Sequence, residues 1–482
     1  MLEYSLIIGV VLFYFYSVTC TFLAVQIARL KGRRRAWGWL GLFLGLIGLL
    51  IICFLPNAKG VTGETNPVKM LLRKLTAVSP VVTWIFVAGM VLVVGGTLIG
   101  TRLSTYFEDR AHEKELTGQT NGRQTLSPAV VSGGVANVFC GSGNNFAITQ
   151  TGALYGWGAI EMTALDESGK LYENAMKVQT AGDTCFVLTN DHILYARGDN
   201  QKGIIPGQTA AWVESFVQVE PNVKDFSVSE TAGALVKENG NLYVFGSNIY
   251  GQLGLGVEKV TDTNSRLAQN VTKVVVTARS LYYLAADGNV YATGSNAYGQ
   301  FGIGNKEVQA VPVLIGSGCK DMAAGDDFTL LLKTDGTVWS AGSDSLGQLG
   351  RVTLEESEIK VALEDGTLPP PAATAFGQIT ELTEVTAVKA GGSTALALIG
   401  TELYGWGDNR VDQLGSSDPL FYTAPKSINK KTVLFDTSGS CTLIYTQEGK
   451  LLGAGDRRNH QLGADGNETG FSAVATVKEA NP

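Results

Sequence analysis

Hydrophobic and polar positions change rhythm twice along the 482 residues. Three apolar runs without a charged side chain come first, at 4–28, 36–55 and 80–100. A hydrocarbon layer about 30 Å thick is crossed by roughly 20 helical residues at about 1.5 Å each, so every run is long enough to span. Glu3 stands where a cleaved signal peptide carries basic residues, and the first run is too long for one, so a retained anchor is expected. Residues 102–116 (RLSTYFEDRAHEKEL) mix charges at helical spacing, and 117–125 (TGQTNGRQT) is a polar, glycine-containing linker. Beyond 126 the apolar runs shorten to strand length and are broken by glycine turns. The pattern predicts a transmembrane region at 1–101, a juxtamembrane helix and linker at 102–125, and an all-β domain at 126–482.

That domain repeats itself. An aliphatic residue, usually an aromatic, two further residues and a glycine recur as LYGWG (154–158), LYARG (194–198), LYVFG (242–246) and VYATG (290–294). The series continues as VWSAG (338–342), LYGWG (403–407) and LLGAG (451–455). The closing residues Gly158, Gly198, Gly246, Gly294, Gly342, Gly407 and Gly455 are separated by 40, 48, 48, 48, 65 and 48 positions. Apolar runs joined by Asn239-Gly240, Asp287-Gly288 and Asp335-Gly336 are hairpin signals, with positive φ expected at both central residues. Second glycine turns follow, as in SNIYGQLGLG (247–256) and SNAYGQFGIG (295–304). About 48 residues of short strands make one four-stranded propeller blade, so seven blades are expected. The 59 glycines are thereby accounted for, in turns and where backbones approach closely.

These stretches resemble the RCC1 (regulator of chromosome condensation) family, whose repeat reads roughly DGxVYxWGxNxxGQLGxG. The match is close at 287–304 and 335–350, recognisable in the other five copies, and covers about 126–482. The resemblance implies an RCC1-like seven-bladed β-propeller. It further implies that the last strand, SAVATVKEA at 472–480, closes the ring by pairing near Val135–Ile148. Closure matters because it leaves no open sheet edge. The family's usual His is missing from AGDTCFVL, AGDDFTLL, AGGSTALA and SGSCTLIY, the second copy is degenerate (ARGDNQKGIIPG), and the fifth interval carries an insert with Glu355, Glu356, Glu358 and Pro369–Pro371. Founding members exchange guanine nucleotides on a small GTPase and bind nucleosomes, whereas other members of this propeller class act purely as binders. The matched positions are fold-building glycines and aromatics, so no exchange residue carries over.

Charge refines the picture. Residues 1–101 hold nine Lys/Arg against Glu3 and Glu64, net +7, which leaves −14 of the total −7 for the remainder. An acidic domain disfavours nucleic acid. The cluster Arg29–Arg35 argues for a cytoplasmic first loop. Three full crossings then put the propeller in the cytoplasm, which is the expectation adopted here. Lys59, Lys69, Arg73 and Lys74 would keep the second loop inside too, and a returning hairpin at 37–55 would place the propeller outside.

Chemistry is sparse. Phosphate-loop, zinc-protease, EF-hand and nucleophile-elbow spacings are all missing from the sequence. Six Cys make neither a CxxC pair nor a regular framework. Cys185 and Cys441 occupy similar repeat positions and read as core residues, and His192 and His460 read as turn residues. The signature aromatics read as blade packing. Contact residues are sought instead among aromatics that the repeat does not require, Trp212, Phe216, Phe421 and Tyr422, with blade packing as their alternative, and in the acidic insert. The reading is a membrane-anchored, non-enzymatic binding module with no catalytic residue, cofactor or metal, a protein partner, and the bilayer as its anchor. The alternatives are guanine-nucleotide exchange on a small GTPase, or extracellular binding of cell-wall glycan or a foreign protein.

Overall fold

Each signature segment forms the third strand of an antiparallel sheet, and seven such sheets follow one another along the chain. The chain divides between Thr120 and Asn121 into two units. The computed structural model describes residues 125–478 apart from 127–129, 142, 160–168, 257–258, 261–262, 264, 352–371, 460 and 463–469, all within the second unit. The expected membrane helices at 4–28, 36–55 and 80–100 and the juxtamembrane helix lie outside the described residues. Among the described residues no helix is long and apolar enough to cross a membrane.

The fourth blade shows the plan. Val271–Val276 lies innermost, followed outwards by Ser280–Ala285, Val290–Gly294 and Gln309–Gly316. Strands reverse at every step, so the first-to-second turn and the third-to-fourth loop emerge on one face. The second-to-third hairpin and the crossover to the next blade emerge on the other. The degenerate second copy builds an ordinary blade from Ala175–Ala181, Thr184–Thr189, Leu194–Asp199 and Trp212–Glu220. In the fifth blade, 352–371 follow the ordinary loop at 344–351 in the connection from the third strand, Val338–Ser343, to the fourth, Ala372–Gln378, so the insert lengthens a third-to-fourth connection.

One stereochemical demand explains the signature glycines. All seven have φ between +88° and +124°, a region that costs other residues about 1–2 kcal/mol. A Cβ at Gly294 would also lie 2.4 Å from the Arg279 carbonyl oxygen, and one at Gly407 would lie 2.2 Å from that of Ser393. The first-to-second turn of each blade thus rests directly on the end of its third strand.

The hairpin turns differ from expectation. Only the glycines Gly240, Gly288 and Gly336 have positive φ, and the preceding Asn239, Asp287 and Asp335 do not. Their side chains instead accept the amides two residues on, at 3.1, 3.0 and 2.9 Å, and the turn lengthens by a glycine bulge.

Closure also differs in its partner. Ser472–Lys478 is the fourth strand of the last blade, and its outer edge pairs in parallel with Val130–Ser132, not with the stretch near Val135–Ile148. Val135–Cys140 and Asn144–Thr149 are the two inner strands of the first blade and are already committed to each other. A strand can extend a sheet only where an edge is free, and that edge lies outside Ser472–Lys478.

Candidate interaction face

The third-to-fourth loops share a frame built by two buried side chains. The Asn or Asp opening each loop accepts the amide five residues on: Asn200 from Ile205 (2.8 Å), Asn248 from Leu253 (2.6 Å), Asn296 from Phe301 (2.9 Å), Asp344 from Leu349 (2.9 Å) and Asn409 from Leu414 (2.9 Å). The loop glutamine accepts the amide two residues before it: Gln252 from Tyr250 (2.9 Å), Gln300 from Tyr298 (3.0 Å), Gln348 from Leu346 (2.7 Å), Gln413 from Val411 (3.0 Å) and Gln461 from Asn459 (2.9 Å). Buried backbone donors must be paired, so these two positions are fixed by folding.

The residues between them are free to vary. They read Gln201-Lys202, Ile249-Tyr250, Ala297-Tyr298, Ser345-Leu346, Arg410-Val411 and Arg458-Asn459 in blades two to seven, Arg457 standing where the other blades carry Asn or Asp. Around the face the tips pass from polar through apolar to basic. Ile249 is 72% exposed and Tyr250 42%, beside Val308 at 59% and Val311 at 63% on the fourth blade. A Cβ at Gly251 would lie 3.6 Å from the Val308 side chain, so the Ile249-Tyr250 tip of the third blade lies beside Val308 of the fourth. Val411 and Leu420 add exposed apolar surface on the sixth blade. Large exposed apolar residues gathered on one face mark an interaction site.

The inner rim of this face is charged. Arg279 lies over the Tyr250 ring at 5.9 Å. Desolvation by neighbouring protein pushes the carboxyls of exposed Asp326 and half-buried Asp327 above the usual range, with Asp326 adding to the rise at Asp327 and Arg279 opposing both. Further inward, Lys177 reaches Asp225 at 2.7 Å, Lys273 reaches Asp321 at 2.5 Å, and Lys389 reaches Asp436 at 3.0 Å, each tying one blade to the next. Asp436 holds the Lys389 ammonium above the ordinary lysine range. These ion pairs escape a motif search, yet Lys177, Asp225, Lys273 and Asp321 alternate in sign at constant 48-residue spacing, a signal open to the repeat alignment.

The aromatics picked from sequence sit elsewhere, on fourth strands. Phe216 packs edge-on against Tyr172 at 4.8 Å and beneath the Arg197 guanidinium at 5.5 Å. Phe421 is 2% exposed and has no surface to offer a partner. Tyr422 packs against the cores on both sides of its blade, and Trp212 is half-buried. Glu355, Glu356 and Glu358 lie outside the described residues, as does His460. His192 occupies a left-handed turn position with φ +61° and touches the Val223 carbonyl at 3.1 Å. Among the signature aromatics, Trp157 and Trp406 are fully buried and donate to the Gln461 and Gln348 carbonyls of the preceding blades at 2.8 and 3.0 Å. The exposed Ile249-Tyr250 pair carries a usable sequence signal, because Ile249 is the only β-branched aliphatic residue at its position in the tip series.

Residues 287–332 match the regulator of chromosome condensation (RCC1) repeat, and 319–348 match a second description of the same repeat. No curated protein sequence matches the chain. Among solved structures it is similar to Prp20p of Saccharomyces cerevisiae, at 15% identity and TM-score 0.51, over 64% of this chain and 80% of that one. It is likewise similar to yeast RCC1 (Prp20) in a complex with Kap60, at 15% identity and TM-score 0.51, over 66% and 76% of the two chains. The chain carries RCC1 repeats and folds as an RCC1-like seven-bladed propeller.

Proposed function

We propose that the chain is a membrane-anchored, non-enzymatic binding module that presents the loop face of its propeller to a protein partner. The series of loop tips carries this reading: a recurring frame of buried Asn, Asp and Gln side chains supports residues that vary from blade to blade and are exposed at Ile249, Tyr250, Arg410 and Val411. Rigid scaffolds with variable loops are the usual basis of recognition. The apolar patch at Ile249, Tyr250 and Val308 supplies the anchor such a contact needs, and the basic residues Arg410 and Arg458 on the last two blades supply its orientation. Prp20p, which shares the fold, is described by its binding to Gsp1p and histones, a precedent for protein ligands on this scaffold. The three apolar runs at 4–28, 36–55 and 80–100 support attachment to a bilayer, which would raise the effective concentration for membrane-adjacent partners.

Site-specific photo-crosslinking in cells tests the face. A photoreactive side chain at position 250, 297 or 411 is expected to give a discrete protein adduct, and one at hairpin position 239, 287 or 335 is not. Stronger adducts from the hairpin face, or none from the loop face, would refute the reading.

A further inference from the structure

Two cysteines meet across the seam where the ring closes. Cys140 ends the innermost strand of the first blade, and Cys441 opens the second strand of the last. They lie roughly 300 residues apart in sequence. The Cys140 amide donates to Asp436 Oδ2 at 2.9 Å, and its Sγ donates to the Asp436 carbonyl at 3.4 Å. Asn145, directly opposite Cys140 in the strand register, donates its Nδ2 to Cys441 Sγ at 3.4 Å and to the Gln461 carbonyl at 2.7 Å. Cys441 belongs to the hydrophobic cluster at the seam, Cys140 packs against that cluster, and both are free thiols. Cys185, its apparent counterpart in the sequence, is displaced by one register: Cys441 opposes the signature glycine Gly455, whereas Cys185 opposes Arg197. It therefore faces the blade before its own, while Cys441 faces the first blade, the next around the ring.

We propose that Cys140 and Cys441 form a covalent latch, a disulfide that staples the first blade to the last. Oxidation is by thiol–disulfide exchange with a low-molecular-weight disulfide. One cysteine thiolate attacks the small disulfide and releases one thiol, and the second cysteine, after losing its proton, displaces the other thiol from the mixed disulfide. Two Cys thiols and one small disulfide thus become one protein disulfide and two small thiols. Burial holds the Cys140 thiol well above its ordinary value, so exchange in the closed ring is slow and proceeds through opening of the seam. A bond closing so long a loop constrains the unfolded chain strongly.

The test uses the full chain in detergent micelles, equilibrated at graded ratios of oxidised to reduced glutathione, with and without sub-denaturing urea to open the seam. After trapping with N-ethylmaleimide, non-reducing peptide mapping should show a Cys140–Cys441 linked peptide that is lost in Cys441→Ser and kept in Cys185→Ser. The oxidised chain should melt about 5 °C higher, reversibly on reduction. Lack of the linked peptide at the most oxidising ratio in urea would overturn the proposal, as would a linked peptide with no gain in melting temperature.

Discussion

At Gly294 two independent demands coincide, a φ of +106° and a carbonyl oxygen 2.4 Å from where a Cβ would stand. Gly294→Ala should therefore lower stability by about 2 kcal/mol or more, read from the denaturant midpoint. Gly207→Ala is the control: its φ is +76° but nothing lies within 4 Å, so only the backbone cost of about 1 kcal/mol remains. Asp326 and Asp327 make a pH prediction. Desolvation raises both carboxyls, so the folded chain takes up their protons at higher pH than the unfolded chain does. Their stabilising contribution is complete below the unfolded value and is lost as pH rises through the folded one. Asp327→Asn should raise the urea midpoint slightly at pH 7, the gain fading toward pH 4, and Asp326→Asn, at an exposed and therefore screened position, should add less. The repeat glycines were legible in the sequence because glycine alone satisfies that backbone. The raised carboxyls were not, because desolvation depends on neighbours from another blade.

Between blades, aromatic donors lock one loop to the next strand. The Trp406 indole donates to the Gln348 carbonyl at 3.0 Å from a fully buried position. Trp406→Phe keeps the ring but leaves that carbonyl without its donor, and should cost about 1–3 kcal/mol in a thermal or urea melt. The strands and hairpins themselves could be read from alternation and Asn-Gly or Asp-Gly pairs, but their turn type could not. An Asp side chain accepting the amide two residues on competes with the two-residue turn, and only the settled strand register shows which one prevails. Phe421 shows the same limit. An aromatic outside the repeat signature has two explanations, and its 2% exposure follows from how the fourth strand folds back on its blade.

For the molecule as a whole, the insert offers a clean separation of fold from function. Ser343 and Ala372 are register partners at its base, so replacing 352–371 with a short Gly/Ser linker should leave the melting temperature nearly unchanged. If the acidic insert contributes to binding, the adduct from a photoreactive residue at position 250 should weaken in that variant; an undiminished adduct would assign recognition to the loop tips alone. Blade number and order follow from sequence alone, because each repeat is a local unit whose strands pair with their chain neighbours. The apolar length of 1–101 likewise needs no coordinates to be recognised. What tertiary structure decided is everything that joins distant repeats: the parallel pairing of Val130–Ser132 with Ser472–Lys478, the placing of Ile249 and Tyr250 beside Val308, and the meeting of Cys140 with Cys441 at the seam. Such contacts depend on the curvature that brings the first blade round to the last, a property of the assembled ring that no single repeat contains.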